Sequence, residues 1–310
     1  MRDARGVIHR LYRAASEGCA ESVVRVPAIE RSFVRVGPHL WSRPGVGQFY
    51  RSTAWRVAWR MRRRNDRFRP LLVEGTPLVL DATEFTTRGL YFGAHLYESA
   101  TTAYLSRALR PGGVFVDIGA NHGYFSMLAA AKVGPTGRVA AFEPNPAVFA
   151  QLATHVALNG FESRVLLSPM ALADEPTPAA TLFVSRDPGN SGLSSLTPSD
   201  EAIATGSLSS AETIAVRVET FDNWFAESGL DRIDLVKIDV EGGEGRVVAG
   251  MQHTIAAGSV GAVICETVWD SEAHRVLCGA GYVPQALDAV GHLTNVLYAR
   301  ARETGAGLRP

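Results

Sequence analysis

A chain of 310 residues is long enough for one large domain with an appendage or for two domains, each with a real core. Its formal net charge is zero, yet residues 1–70 hold sixteen Arg against five acids, a surplus of eleven that the remainder must cancel, so a basic head precedes an acidic body. Cys19, Cys265 and Cys278 are too scattered for a disulfide framework or a zinc site, and no apolar run reaches the ~18 residues of a membrane span or forms the core of a secretory signal, which makes a reducing cytoplasm the expected compartment.

Lysine occurs only at Lys132 and Lys237, a usage that a GC-rich coding bias accounts for as readily as a need for guanidinium groups. At the N-terminus, Val7, Ile8, Leu11 and Tyr12 fall on one helical face and predict an amphipathic helix. Pro27, Pro38 and Pro44 with Gly37, Gly45 and Gly47 then predict a loop-rich stretch. A second helix, Phe49 to Arg64, is expected to carry Trp55, Ala58, Trp59 and Met61 along one stripe and to end in Arg62-Arg63-Arg64. The favoured reading packs these tryptophans on the main domain and leaves the arginines solvated; docking on nucleic acid or an anionic membrane, or a cover over the substrate mouth, stays open. Leu71 to Val79, interrupted by Glu74-Gly75-Thr76-Pro77, predicts a β-hairpin. Residues 1–85 therefore form a basic, mainly helical extension.

Thr86 to Glu98 leads into a helix over Ser99 to Leu109, stopped by Pro111-Gly112-Gly113. The stretch Val114 to Ser126, V-F-V-D-I-G-A-N-H-G-Y-F-S, compresses a buried strand, a glycine turn and a helix start into a nucleotide-type cradle. Alternation follows: helix 124–133, strand 138–143, helix 146–158, strand 164–169, the pattern of a parallel sheet with right-handed crossovers. Residues 174–212 break that rhythm with four prolines and the run Gly189-Asn190-Ser191-Gly192-Leu193-Ser194-Ser195. Flanked by strand-like Thr181 to Val184 and Ile214 to Val218, they predict a hairpin-like insertion whose loop is a lid or a surface linker. Regularity returns with helix Thr220 to Ser228, strand Ile233 to Val240, helix Glu244 to Ala256, strand Val260 to Cys265 and helix Ser271 to Cys278. An antiparallel hairpin of Tyr282 to Leu287 and Asn295 to Ala301 closes the chain, and a tail at 303–310 is expected to fray. The expected fold is α/β: a Rossmann-like, mostly parallel sheet with an antiparallel C-terminal hairpin over residues 86–302, behind the N-terminal helical extension.

Glu143 ends the second core strand 24 residues after Gly119, the spacing at which an acid accepts hydrogen bonds from ribose hydroxyls. Such a charge-assisted bond contributes about 1.5–3 kcal/mol. A dinucleotide site wants G-x-G-x-x-G, whereas Asp117 to Gly123 offers D-x-G-x-N-x-G, which points to S-adenosylmethionine over NAD.

Taken together, Val114 to Ser126, Phe142 to Pro146 and Val236 to Glu244 resemble the FkbM family of class I S-adenosylmethionine-dependent methyltransferases. The telling motifs are Asp117-Ile118-Gly119-Ala120-Asn121-His122-Gly123-Tyr124 and Lys237-Ile238-Asp239-Val240-Glu241-Gly242. The resemblance implies that Asp117, Gly119 and Asn121 line the methionine side of the cofactor, that Glu143 holds the ribose, that backbone near Ala171 borders the adenine, and that Glu98 faces the amino group. Gly123 and Asn145 complete the expected cofactor set, which also includes Asp239. Near the reactive methyl, Asp239 and Glu241 would converge if their strand persists, since alternate strand residues share a face. They are expected either to supply a general base, with Asp239 preferred, or to position cofactor and cap the following helix. A divalent metal on Asp239, Glu241 and Glu266 is a less favoured addition. His122 is a further base candidate, and Lys237 is expected to pair with a carboxylate.

The expected activity is O-methylation of a hydroxyl on a small metabolite, natural product or sugar. The alternatives are an N- or carboxyl-methyltransferase, a non-catalytic cofactor-binding or nucleic-acid-docking protein, and an NAD-dependent oxidoreductase. The expected partner is a small-molecule acceptor, with a carrier protein or a second copy of the chain met through the basic head and nucleic acid not favoured.

Overall fold

A computed structural model describes the backbone of residues 2–185, 194–197, 208–290 and 293–300, with side chains described from residue 13 onward except at 185, 208–211 and 290. The side chains of Val7, Ile8, Leu11 and Tyr12, the run 189–193 and the tail 303–310 lie outside the described residues. The chain divides into two compact units, Met1–Tyr97 and Glu98–Pro310.

In the first unit, helices α1 (Arg2–Arg25), α2 (Pro27–Leu40) and α3 (Val46–Arg63) precede a hairpin of β1 (Phe68–Val73) and β2 (Thr76–Asp81) and a short helix α4 (Phe85–Gly93). The expected loop after residue 27 is thus a helix. Pro27 occupies a first-turn position, where the missing N–H has no intrahelical acceptor to lose, and Gly37 and Pro38 fall in the last turn. Ala20, Val23, Tyr50, Ala54, Val57, Met61 and Phe92 form the core of this unit. The expected stripe on α3 is also corrected: Ala58 and Met61 are buried, whereas Trp55 and Trp59 lie on the opposite, exposed side. A period of 3.6 residues puts 54, 57, 58 and 61 on one arc and turns 55 and 59 away from it.

In the second unit, α5 (Ser99–Ala108) leads to β3 (Val114–Ile118), α6 (Tyr124–Val133), β4 (Arg138–Phe142), α7 (Pro146–Leu158) and β5 (Val165–Ser168). After the insertion come α8 (Phe221–Ser228), β9 (Ile233–Ile238), α9 (Glu244–Ala249), α10 (Gln252–Ala256), β10 (Val260–Thr267), α11 (Glu272–Gly279), β11 (Tyr282–Val290) and β12 (Leu293–Arg300). Among the described residues the central sheet runs β11-β12-β10-β9-β3-β4-β5, with β10, β9, β3, β4 and β5 parallel and the β11–β12 hairpin antiparallel. This is a doubly wound, Rossmann-like sheet. One face packs Val116, Ile118, Phe142, Val236, Ile238 and Val263 against Phe221, Trp224, Val248 and Leu277 from the helices. Within the insertion, β6 (Ala171–Leu172), β7 (Thr177–Ser185) and β8 (Leu208–Glu219) make a separate three-stranded sheet.

Two boundaries differ from expectation with consequences for the site. The single helix expected over 244–256 is broken at Gly250, where a Cβ would stand 2.0 Å from the Ala173 carbonyl oxygen, so the turn packs on the insertion sheet. Strand β9 ends at Ile238, one residue before Asp239.

Candidate active site

The parallel strands β3, β4 and β9 all end on one edge of the sheet, and the candidate residues lie in the turns that leave them. After β3 the chain takes positive φ at Gly119 (78°), Asn121 (51°) and Gly123 (88°) before α6 begins. Gly119 is required twice over: its φ favours glycine, and a Cβ there would lie 1.8 Å from the carbonyl oxygen of Asp239. The glycine turn and the segment after β9 therefore touch through backbone, and Asp239 N–H donates to the Ile118 carbonyl at 3.0 Å.

At the tip of β4, buried Glu143 accepts one hydrogen bond from Asn121 N–H (3.0 Å) and one from Asn145 N–H (2.9 Å), one on each carboxyl oxygen. Burial pushes this carboxyl up to about 7, with the two amides pulling the other way. Asn145 caps α7 by accepting from Ala147 N–H at 3.0 Å, and its amide donates to Ser194 Oγ at 3.3 Å. The Asn121 side chain turns back on its own loop and accepts from His122 N–H at 2.8 Å. His122 is buried and its carbonyl is bonded by the His155 ring. Gly123 seats the start of α6 against Leu152. Ala171 lies in β6 beside Val218, in the insertion sheet and not in these turns.

The second group is organised by Lys237. Its Nζ donates to Asp239 Oδ2 at 2.7 Å and stands 4.8 Å from the centre of the Phe125 ring, with only 2% of the residue exposed. Burial opposes this charge, but Asp239, Glu98 and Asp117 outweigh it and raise the lysine pKa above its ordinary value. Asp117, on β3, accepts from Ser126 Oγ at 2.5 Å; burial raises it to about 6 against the pull of Lys237. Burial, then the charges of Asp239 and Glu244, push Glu241 up to about 8. Burial, then Asp239 and Glu241, push Glu266 on β10 up to about 9. Glu98, the residue before α5, completes the set through its charge interaction with Lys237.

The expectation that Asp239 and Glu241 converge along a strand is corrected, because β9 has already ended and Glu241 sits in the left-handed region with φ 58°. They interact instead across a turn. Nor does Glu241 cap the next helix. That helix has Gly243 at its N-cap with no side-chain cap, and Glu244 instead ties down the preceding turn, accepting from Val240 N–H at 3.1 Å and Gly242 N–H at 3.0 Å. Among the described residues no three His, Cys, Asp or Glu side chains are grouped to hold a metal ion, so the Asp239, Glu241 and Glu266 trio does not form such a site in this geometry.

One contributor had no signal in the sequence. Ser195, from the insertion, bridges to Phe183 of β7, and its buried hydroxyl donates to the Glu241 carbonyl at 2.7 Å while accepting from Thr197 N–H at 3.0 Å. In a Gly/Ser-rich run nothing distinguishes one serine from its neighbours. Residues 194–197 thus connect the β4 turn, through Asn145, to the β9 turn, through Glu241.

A glycine turn after the first parallel strand, an acid at the tip of the next and a Lys-Ile-Asp-Val-Glu-Gly turn on a third now stand at one sheet edge, and a family model described as the methyltransferase FkbM domain matches residues 117–283. The chain belongs to the FkbM methyltransferase family. Over 162 residues it is 35% identical to the 31-O-demethyl-FK506 methyltransferase FkbM of Streptomyces tacrolimicus, covering 46% of this chain and 61% of that protein. Over 159 residues it is 32% identical to the methyltransferase sdnD of Sordaria araneosa, covering 44% and 60%. The match thus spans about three fifths of the length of these curated relatives. Among solved structures, a precorrin-6y C5,15-methyltransferase from Geobacter metallireducens aligns over 67% of this chain and 90% of its own, with 15% identity and a TM-score of 0.40.

The residues present fit S-adenosylmethionine, the cofactor that membership of the FkbM family implies. A diol needs acceptor oxygens held at a fixed orientation, and the two amides on Glu143 supply that while leaving lone pairs on both oxygens. A sulfonium centre is favoured by acidic surroundings, and the Lys237 group sets one cation among five carboxyls, Glu98, Asp117, Asp239, Glu241 and Glu266, of which the last two are held mainly protonated at neutral pH and can ionise toward an added cation.

Proposed function

We propose that the chain is an O-methyltransferase that moves the methyl group of S-adenosylmethionine to a hydroxyl of a small metabolite or natural product in the cytoplasm. When bound, the cofactor supplies an electrophilic methyl whose departure neutralises a sulfonium. The chain's own task is to hold the acceptor oxygen in line, exclude water and take a proton. Glu143 binds the ribose, and Glu98 with Asp117 faces the amino group. Asp239, fixed by Lys237, positions the reactants, and Glu241 takes the hydroxyl proton.

The observation that carries this reading is the division of labour within one carboxyl group. Asp239 is tied at 2.7 Å to a buried ammonium, whereas Glu241 beside it is raised to about 8 and so suited to exchange a proton near neutral pH. The name of the Streptomyces relative, a 31-O-demethyl-FK506 methyltransferase, supports a hydroxyl as the acceptor group. The test is transfer of label from methyl-tritiated S-adenosylmethionine to a panel of hydroxyl, amine and carboxyl acceptors. Label appearing only on amines or carboxyls, or cofactor bound with no transfer to any acceptor, would refute the proposal.

A further inference from the structure

The basic head carries a feature that methyl transfer does not use. Along α3, Arg51, Trp55, Trp59 and Arg63 succeed one another at four-residue steps and so form a single row. Both indoles are in water, Trp55 with 53% and Trp59 with 45% of its surface exposed. The guanidinium of Arg63 lies over the Trp59 ring, 4.7 Å from its centre. The opposite side of the same helix is packed solid with Tyr50, Ala54, Val57, Ala58 and Met61. Two adjacent exposed indoles on such a helix mark a contact surface.

Charge around the row is segregated. Helix α3 contains no Asp or Glu. The described acids of α1, Glu17 and Glu21, are half-exposed and taken up by arginines, Glu17 by Arg13 at 3.2 Å and Arg56 at 3.4 Å and Glu21 by Arg25 at 2.5 Å and Arg60 at 2.9 Å, and Arg62 is paired with buried Glu84. Among the described residues neither Arg51 nor Arg63 has a carboxylate partner. The outward face is therefore apolar in the middle and cationic at both ends, and the ends stand about 18 Å apart along the axis at 1.5 Å per residue.

We propose that this row docks the protein on an anionic phospholipid surface, with the two indoles at headgroup depth and the two guanidinia on lipid phosphates. Indoles suit that depth because an apolar ring and one polar N–H match a boundary that is dry on one side and wet on the other. Guanidinium suits it because its fork meets two phosphate oxygens at once. A nucleic-acid reader wants cations along the whole line of contact, where this row places rings.

The experiment is co-sedimentation of the full chain with vesicles of phosphatidylcholine alone and with about 30 mol% phosphatidylglycerol, at low and high salt. Partitioning is expected only into the anionic vesicles, weakened about tenfold or more by high salt, with a blue shift of indole emission on binding. The pair Arg51→Gln and Arg63→Gln is expected to lower partitioning about 30-fold. The pair Trp55→Ala and Trp59→Ala is expected to lower it about tenfold. Both removals are at exposed positions, so circular dichroism, thermal midpoint and binding of S-adenosylhomocysteine are expected to stay unchanged. Equal partitioning into neutral vesicles, none into anionic ones, or retention by either variant overturns the proposal. So does salt-sensitive binding to duplex DNA with vesicles left unbound, which would assign the row to nucleic acid.

Discussion

The carboxyl group around Lys237 makes the binding of a cation proton-linked, and the size of the effect can be worked out. With its pKa at about 8, Glu241 is about one-tenth ionised at pH 7. S-adenosylmethionine carries a sulfonium charge that S-adenosylhomocysteine lacks. A unit charge placed about 6 Å from such a carboxyl, at an effective dielectric of about 20, would stabilise the ionised form by about 3 kcal/mol, or about two pKa units. Glu241 then falls to about 6, and binding at pH 7 releases about 0.8 proton that S-adenosylhomocysteine does not displace. The preference for the methylated over the demethylated cofactor should rise about 25-fold between pH 6 and pH 8. The ligand-free protein should show the converse. A carboxyl raised in the folded state stabilises fully below its unfolded value near 4.5 and loses that contribution as pH climbs through about 8, so the thermal midpoint should fall from pH 5 to pH 9. Titration calorimetry in two buffers of different ionisation enthalpy measures the proton release directly. Equal pH slopes for the two cofactors, or a slope that persists in Glu241→Gln, would refute the reasoning.

Lys237→Met should cost about 3–5 kcal/mol in urea unfolding, because it removes the ammonium that meets the Asp239 carboxyl at 2.7 Å and offsets the four other carboxyls around it. Gly119→Ala should destabilise by about 2–4 kcal/mol and abolish cofactor binding, since its Cβ would meet the Asp239 carbonyl at 1.8 Å in a left-handed turn. Ser195→Ala removes the hydroxyl that joins Glu241 to Thr197; kcat should fall about tenfold with the Kd for S-adenosylhomocysteine changed less than threefold, and a parallel loss of both would show that residues 194–197 serve cofactor binding instead.

The alternation from Val114 to Ser168 was legible because strands covered on both faces are nearly all apolar and each ends in a glycine, proline or asparagine turn. The two motifs were legible because they are contiguous. Illegible were the features made by approach of distant segments. The break at Gly250 exists because Ala173 lies against it, and Ser195 matters because its loop reaches Glu241. Local pattern misled where one residue type has two uses. Pro27 looked like a breaker and starts a helix, and Trp55 and Trp59 looked like core and face water.

Lysine usage is where composition and structure bear on each other most closely. With Arg supplying almost all positive charge, Lys237 is one of only two lysines, and coding bias explains the rarity but not the position. The site explains it. A compact ammonium fits between the Asp239 carboxyl and the Phe125 face with 2% of the residue exposed, while a planar guanidinium with five donors would need more room and more acceptors than that cavity offers. Lys237→Arg keeps the charge, so a role resting on charge alone predicts a near-silent change. A role resting on the shape of the ammonium predicts a loss of about 1–3 kcal/mol from overpacking, with Asp239 displaced and methyl transfer falling further than cofactor affinity. Paired unfolding and binding measurements on Lys237→Arg and Lys237→Met separate the two, and an arginine variant as stable and active as the natural chain would show that any buried cation suffices.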